Sequence, residues 1–183
     1  SALTFWARDS VDRSVYFLGQ RREIPPGWFA ASNSFFVLLL TAPLTALFRL
    51  VRRVGSAEKI VAGLLLAAAS FALLAVAARA SGLCHPGWLL GYYLIITVGE
   101  LLLSPVGLSL VSRLSPPRWI GVLFGLWFVS TALGNWMAGR VGKLWAQWSH
   151  EQFFGGLALL LLATGLLLAT QLGWLRRTLP QDN

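Results

Sequence analysis

One carboxylate, Glu100, stands halfway along the otherwise uncharged stretch 88–112 of this 183-residue chain. At the centre of a bilayer a charged side chain costs about 2.5–3.5 kcal/mol on insertion scales. Such a group must find a cation, reach water or take up a proton, because desolvation disfavours its charged form. No Lys or Arg falls in the core of the long apolar stretches. The partner is therefore expected to be a ligand, a proton or a residue outside this chain. The plainer alternative is a protonated Glu that bonds across helices and does nothing else. Positions three and four apart share a helix face. Stepping from Glu100 gives Thr97 and Tyr93 in one direction, Ser104 and Gly107 in the other. Pro105, flanked by Gly99 and Gly107, permits a bend beside this polar stripe. A second stripe repeats every four residues at Trp127, Thr131 and Asn135, offering an indole, a hydroxyl and an amide. Interhelical glue is the plainer reading of Asn135. Asn33 is a third polar candidate, about two turns into its helix.

The elements that must hold these residues follow from composition. Charged residues make up 12 % of the chain and hydrophobic ones 56 %, whereas soluble domains are about a quarter charged. Disorder, a soluble α/β enzyme and a collagen-like chain are excluded. A helix crossing a bilayer needs roughly 20 mostly apolar residues. Five stretches meet that demand and predict spans at about 28–50, 59–79, 88–112, 118–140 and 152–175. Residues 1–18 contain Phe5-Trp6 but also Arg8, Asp9, Asp12 and Arg13, and are expected to form the last part of a further helix whose polar end meets water. Arg21–Gly27 is expected to be a loop, with the next helix starting near Pro26. The fold class is therefore an all-α integral membrane bundle, five complete spans plus a partial first helix. Its three-plus-three order fits one half of a transporter built from inverted triplets.

Lys/Arg bias sets the orientation. Arg49, Arg52, Arg53 and Lys59, then Arg113 and Arg118, then Arg176 and Arg177 lie on one side, against Arg79, Arg140 and Lys143 on the other. The C-terminus is thus expected in the cytoplasm. Trp88, Trp145, Trp148 and Trp174 fall near span ends, as an aromatic belt requires. Ser1 stands where an initiator Met would, and the chain is expected to be a piece of a longer protein. The net charge of +8 is spread in short clusters between apolar runs, without the basic stripe of a nucleic-acid binder. Cys84, the one cysteine, forms no intrachain disulfide, and Cys84-His85 lacks the further spacing of a metal site. Ser109 has no base at matching depth, because His85 and His150 fall in loops. No enzyme activity, metal or cofactor is expected.

Around Glu100 the sequence resembles a known family. Gly99-Glu100-Leu101-Leu102-Leu103-Ser104-Pro105-Val106-Gly107-Leu108-Ser109 is similar to the tenth-helix signature of the proton-dependent oligopeptide transporters, a branch of the major facilitator superfamily. Gly125-Leu126-Trp127-Phe128 with Gly134-Asn135 and Ala138-Gly139 resembles that family's eleventh helix, and Leu114-Ser115-Pro116 the loop between the two. Ile24-Pro25, Asn33 and Ala42-Pro43-Leu44 are similar to its eighth. The resemblance implies the C-terminal six-helix half of a twelve-helix carrier in a cell membrane, a bacterial inner membrane above all. It also implies proton-coupled symport of di- and tripeptides, with a missing N-terminal six-helix half as partner and protons as the coupling ion. The carboxylate matching Glu100 would bind the peptide α-amino group and communicate with proton coupling. Asn33 would hydrogen-bond the peptide near its amino end. Trp127 would line the cavity or act near its gate, with Thr131 in the same pocket, and Ser104, on the Glu100 stripe, is a further substrate-binding candidate. Ser10 and Val11 stand where the family's seventh helix carries an acid and a Gln, although Asp9 and Asp12 lie close. Ala30 and Ser34 replace a Gln and a Pro around Asn33, departures that bear on substrate preference. The alternatives are a superfamily carrier of another small solute (drug, nitrate or amino acid) and a structural bundle without transport.

Overall fold

A computed structural model describes residues 2–17, 20–50, 55–80 and 82–173. Its order is α1 (Ala2–Asp9), β1 (Ser14–Phe17), β2 (Gln20–Glu23), α2 (Pro26–Leu50), α3 (Ser56–Ala77), α4 (Gly87–Leu114), α5 (Ile120–Val141) and α6 (His150–Thr170). Short 3-10 turns cover Pro117–Trp119 and Gly142–Ala146. The helices α2 to α6 are each long and apolar enough to cross a membrane. Backbone polar groups in lipid must be satisfied within the segment, and uninterrupted Leu- and Ala-rich runs do this as helices. Arg52, Arg53, Trp174, Arg176 and Arg177, which carry part of the orientation and belt arguments, lie outside the described residues.

Local signals place several boundaries. Pro26 opens α2, where its missing N–H costs nothing. A capping box opens α6: the Gln152 backbone N–H donates to Ser149 Oγ at 3.2 Å, and Gln152 Oε1 accepts from the Ser149 N–H at 3.3 Å. Ahead of α4, the Gly87 N–H donates to His85 Nδ1 at 3.0 Å.

The N-terminal segment corrects an expectation. The partial helix anticipated over 1–18 stops at Asp9, and an antiparallel hairpin takes Ser14↔Glu23 through Phe17↔Gln20. Val15-Tyr16-Phe17 are strand formers by shape. The stop has a long-range cause. Cys84 N–H donates to Ser10 O at 2.8 Å, and Asp12 N–H donates to Cys84 O at 2.9 Å, a parallel bridge centred on Val11 and Cys84. The chain leaves the helix to pair with the α3–α4 connection. Ile24 N–H then donates to Arg13 O at 2.9 Å, while Arg13 Nη1 donates to Ile24 O at 3.0 Å and Nη2 pairs with Glu23 at 3.2 Å. Part of the stretch 21–27 expected as loop is therefore strand.

The packed centre is a slab in which α3 runs against both α4 and α6. Gly63 and Gly99 let α3 and α4 touch backbone to backbone: a Cβ on Gly63 would meet Gly99 O at 2.9 Å, and one on Gly99 would meet Gly63 O at 2.9 Å. Gly165 lets α6 settle on the Leu64 and Leu65 side chains of α3, where a Cβ would meet Leu65 Cδ2 at 3.1 Å. Close approach through small residues is how membrane helices gain packing energy, since lipid supplies no hydrophobic drive between them. At one end the slab is sewn by aromatic contacts. Trp6 is 0 % exposed and meets Phe154 edge-on at 5.5 Å, and Trp145 packs on Phe153, Phe154 and His150. Arg79 Nε lies 2.8 Å from Glu151 Oε1, tying the α3–α4 connection to α6. Helices α2 and α5 both pack against α4, α2 the more extensively.

Candidate functional site

Two of the polar candidates, Asn33 and Glu100, meet at α4. Gly99 faces α3, so Glu100, about 100° further round the helix, points out of that seam. Its carboxylate is exposed, and Asn33 of α2 donates its side-chain N–H to Glu100 Oε2 at 3.2 Å. The amide oxygen Oδ1 of Asn33 lies 2.5 Å from Thr97 Oγ1, which is also 2.6 Å from Tyr93 O. Thr97 is fully buried. A chain of three side chains thus runs from the interior of the α2–α4 contact out to a free carboxylate face. Glu100, Asn33 and Thr97 are one cluster, although sequence spacing placed Asn33 merely somewhere on another helix.

Trp127 forms a second centre. Its ring lies against Gly107 of α4, so closely that a Cβ there would collide with the six-membered ring. Gly107 is seven residues beyond Glu100, two helical turns or about 10.5 Å along the same face. Trp127 therefore overlooks the line of Glu100 and Ser104 from the α5 side. Ser104 is exposed on that face. Thr131 is exposed too, but its hydroxyl donates to the Trp127 backbone carbonyl at 3.1 Å. Neither joins the Asn33–Glu100–Thr97 cluster by a hydrogen bond among the described residues. Asn135 is likewise exposed.

Ser10 and Val11, at the places of the family's acid and Gln, sit in the bridge to Cys84 and not on a helix. Asp9, at the helix end, is engaged by its neighbour Arg8 at 2.7 Å, and that hydrogen bond holds its carboxyl below the usual range. Outside the spans, burial pushes the Cys84 thiol up; the thiol donates to Ala77 O at 3.0 Å. Among the described residues no three His, Cys, Asp or Glu side chains group closely enough to hold a metal ion. An apolar crevice of about 720 Å³ lies at the sewn end, lined by Phe5, Phe71, Lys143, Trp145 and Phe154 among others. None of the polar candidates lines it.

Chemically, the α4 face pairs a carboxyl group with an oriented amide midway along the helix. Asn33 is neutral, so its hydrogen bond does not cancel charge on the carboxyl group and leaves that group open to a cation. Five helices long and apolar enough to cross a membrane, one of them carrying this polar face, define an integral membrane protein. The model of the POT family, a transporter family, matches residues 1–156. The chain belongs to this family. It is 38 % identical over 151 residues to the peptide transporter YePEPT of Yersinia enterocolitica, covering 78 % of this chain and 29 % of that protein. It is 33 % identical over 150 residues to dipeptide and tripeptide permease A of Erwinia pyrifoliae, covering 80 % and 30 %. A crystal structure of a peptide transporter POT in complex with sulfate superposes with a TM-score of 0.85 at 28 % identity, over 97 % of this chain and 36 % of that one. The chain thus spans 29 % of the length of its YePEPT relative.

Proposed function

We propose that this chain is the C-terminal bundle of a proton-coupled symporter of di- and tripeptides working by alternating access. The N-terminal six helices supply the facing wall. Glu100 receives the peptide α-ammonium, Asn33 hydrogen-bonds the peptide near its amino end, and Trp127 forms the cavity wall, with Ser104 and Thr131 on the same face. Glu100 is also the group through which substrate binding communicates with proton movement. The carrier sits in a cell membrane, a bacterial inner membrane, with its C-terminus in the cytoplasm.

The observation that carries this reading is the geometry of Glu100. A carboxylate at mid-span, held by a neutral amide and directed away from the glycine seam, is a receptor for a cation. A structural Glu would be expected inside a seam, bonded on both oxygens. The names of the relatives supply the cation's class, since a peptide presents an ammonium beside amides. The test is uptake of labelled dialanine into liposomes holding the full-length carrier. An inward proton gradient should drive accumulation, and unlabelled dialanine should compete while N-acetylated dialanine, lacking the ammonium, should not. Absence of gradient-driven uptake, or equal competition by the acetylated peptide, overturns the proposal.

A further inference from the structure

The Thr97 hydroxyl has two oxygen neighbours and one proton. The Tyr93 carbonyl, four residues back in α4, is already the acceptor of the Thr97 backbone N–H by helix geometry. Asn33 Oδ1 turns away from Glu100 and towards Thr97, and the buried hydroxyl lies against it. An amide can occupy its site in two orientations that differ by exchanging oxygen and nitrogen. In the exchanged orientation Oδ1 would face the Glu100 carboxylate, acceptor against acceptor. With the proton of Thr97 on Oδ1, both ends of the amide are satisfied in the orientation seen.

We infer that Thr97 is a positioning residue for substrate binding: its hydroxyl fixes the Asn33 amide so that the NH2 group is presented to Glu100 and the space before it. This rests on the role proposed for Asn33 and Glu100, and adds a residue that never touches substrate. Replacing the hydroxyl by a methyl in Thr97→Val keeps the volume and leaves Oδ1 facing an apolar group. An acceptor that loses its donor in a part-buried contact is costly, so the Asn33 side chain swings away from α4. Thr97→Ser keeps the donor and the position.

Two readouts on the full-length carrier separate this inference from the transport reading. The first is dialanine uptake by the parent, Thr97→Val, Thr97→Ser, Asn33→Ala and the Thr97→Val/Asn33→Ala pair. Loss of one neutral hydrogen bond predicts an apparent KM about fivefold higher in Thr97→Val, with Vmax little changed. Thr97→Ser should restore the parental KM. On the Asn33→Ala background Thr97→Val should add nothing, because the residue acts through Asn33. The second readout needs no transport: the side-chain NH2 resonance of Asn33, assigned by its disappearance in Asn33→Ala. It should move in Thr97→Val and return in Thr97→Ser. A resonance indifferent to Thr97→Val, or a KM effect that persists at full size without Asn33, overturns the inference. A moving resonance in a parent that transports no dialanine would instead uphold Thr97 and refute the peptide reading.

Discussion

The slab of α3, α4 and α6 and the flanking helices α2 and α5 solve opposite problems. In the slab, glycines bring backbones into contact, and Ala67, Ala68, Leu74 and Phe154 are buried. On the flanks, α5 buries no residue, and Leu126, Phe128, Leu133 and Trp136 stay exposed, as do Phe35, Leu38 and Leu39 on α2. The polar chemistry sits on the border between these regions. Helix α4 belongs to both: Gly99 locks its back to α3, while Glu100 and Gly107 present its front to Asn33 of α2 and Trp127 of α5. A charge at membrane depth has to be held rigidly from behind if its front is to stay open. The two regions therefore predict different mutant phenotypes, stability behind and affinity in front.

The largest expected effect is at the sewn end of the slab. Trp6→Ala empties a fully buried site against Phe154 and should cost about 3–5 kcal/mol, read as a collapse in melting temperature of the detergent-solubilised carrier. A parent-like melting curve would erase the distinction between slab and flank. Next comes the glycine seam. Gly63→Ala places a methyl 2.6 Å from Leu103 Cγ and 2.9 Å from a backbone oxygen, and overpacking of this kind costs about 1–3 kcal/mol. The front should respond differently. Trp127→Ala should weaken dipeptide binding about tenfold, equivalent to about 1.4 kcal/mol, with melting little altered. Gly107→Ala should reproduce part of that loss by displacing the indole. If Trp127→Ala lowers stability and leaves affinity intact, Trp127 belongs to the packing. The smallest effect is at the exposed Arg79–Glu151 pair, where Arg79→Ala should cost under about 1 kcal/mol. Cys84 sharpens the same contrast without energy. Its burial and raised pKa lower the thiolate fraction at neutral pH, so maleimide labelling should be slow in the folded carrier, speed up as pH rises and become fast on unfolding.

Much of this arrangement was legible in the sequence because lipid imposes a simple rule. Five apolar runs read as five helices, and a lone mid-span carboxylate marks itself. The hairpin at Ser14–Glu23 was not legible, because Phe5-Trp6 and the charges after it read as a helix tail. What ends α1 is a backbone pairing with Cys84, more than seventy residues away. Thr97 stood in the polar stripe beside Glu100, but its partner depends on the register of α2 against α4, which no local pattern encodes. The same holds for Trp127 and Gly107, each conspicuous in its own helix. Thr131 shows the reverse case: its four-residue spacing from Trp127 put a hydroxyl on that stripe, yet the hydroxyl bonds to its own helix backbone.

The most direct test of the central claim is dialanine binding and proton-driven uptake by the Glu100→Gln carrier. Glutamine keeps an acceptor oxygen for the Asn33 amide, so the α2–α4 contact and the melting temperature should survive. Removing the charge should weaken peptide binding on the order of a hundredfold and abolish uptake driven by the proton gradient. Parental affinity and uptake in a well-folded Glu100→Gln carrier would contradict the account.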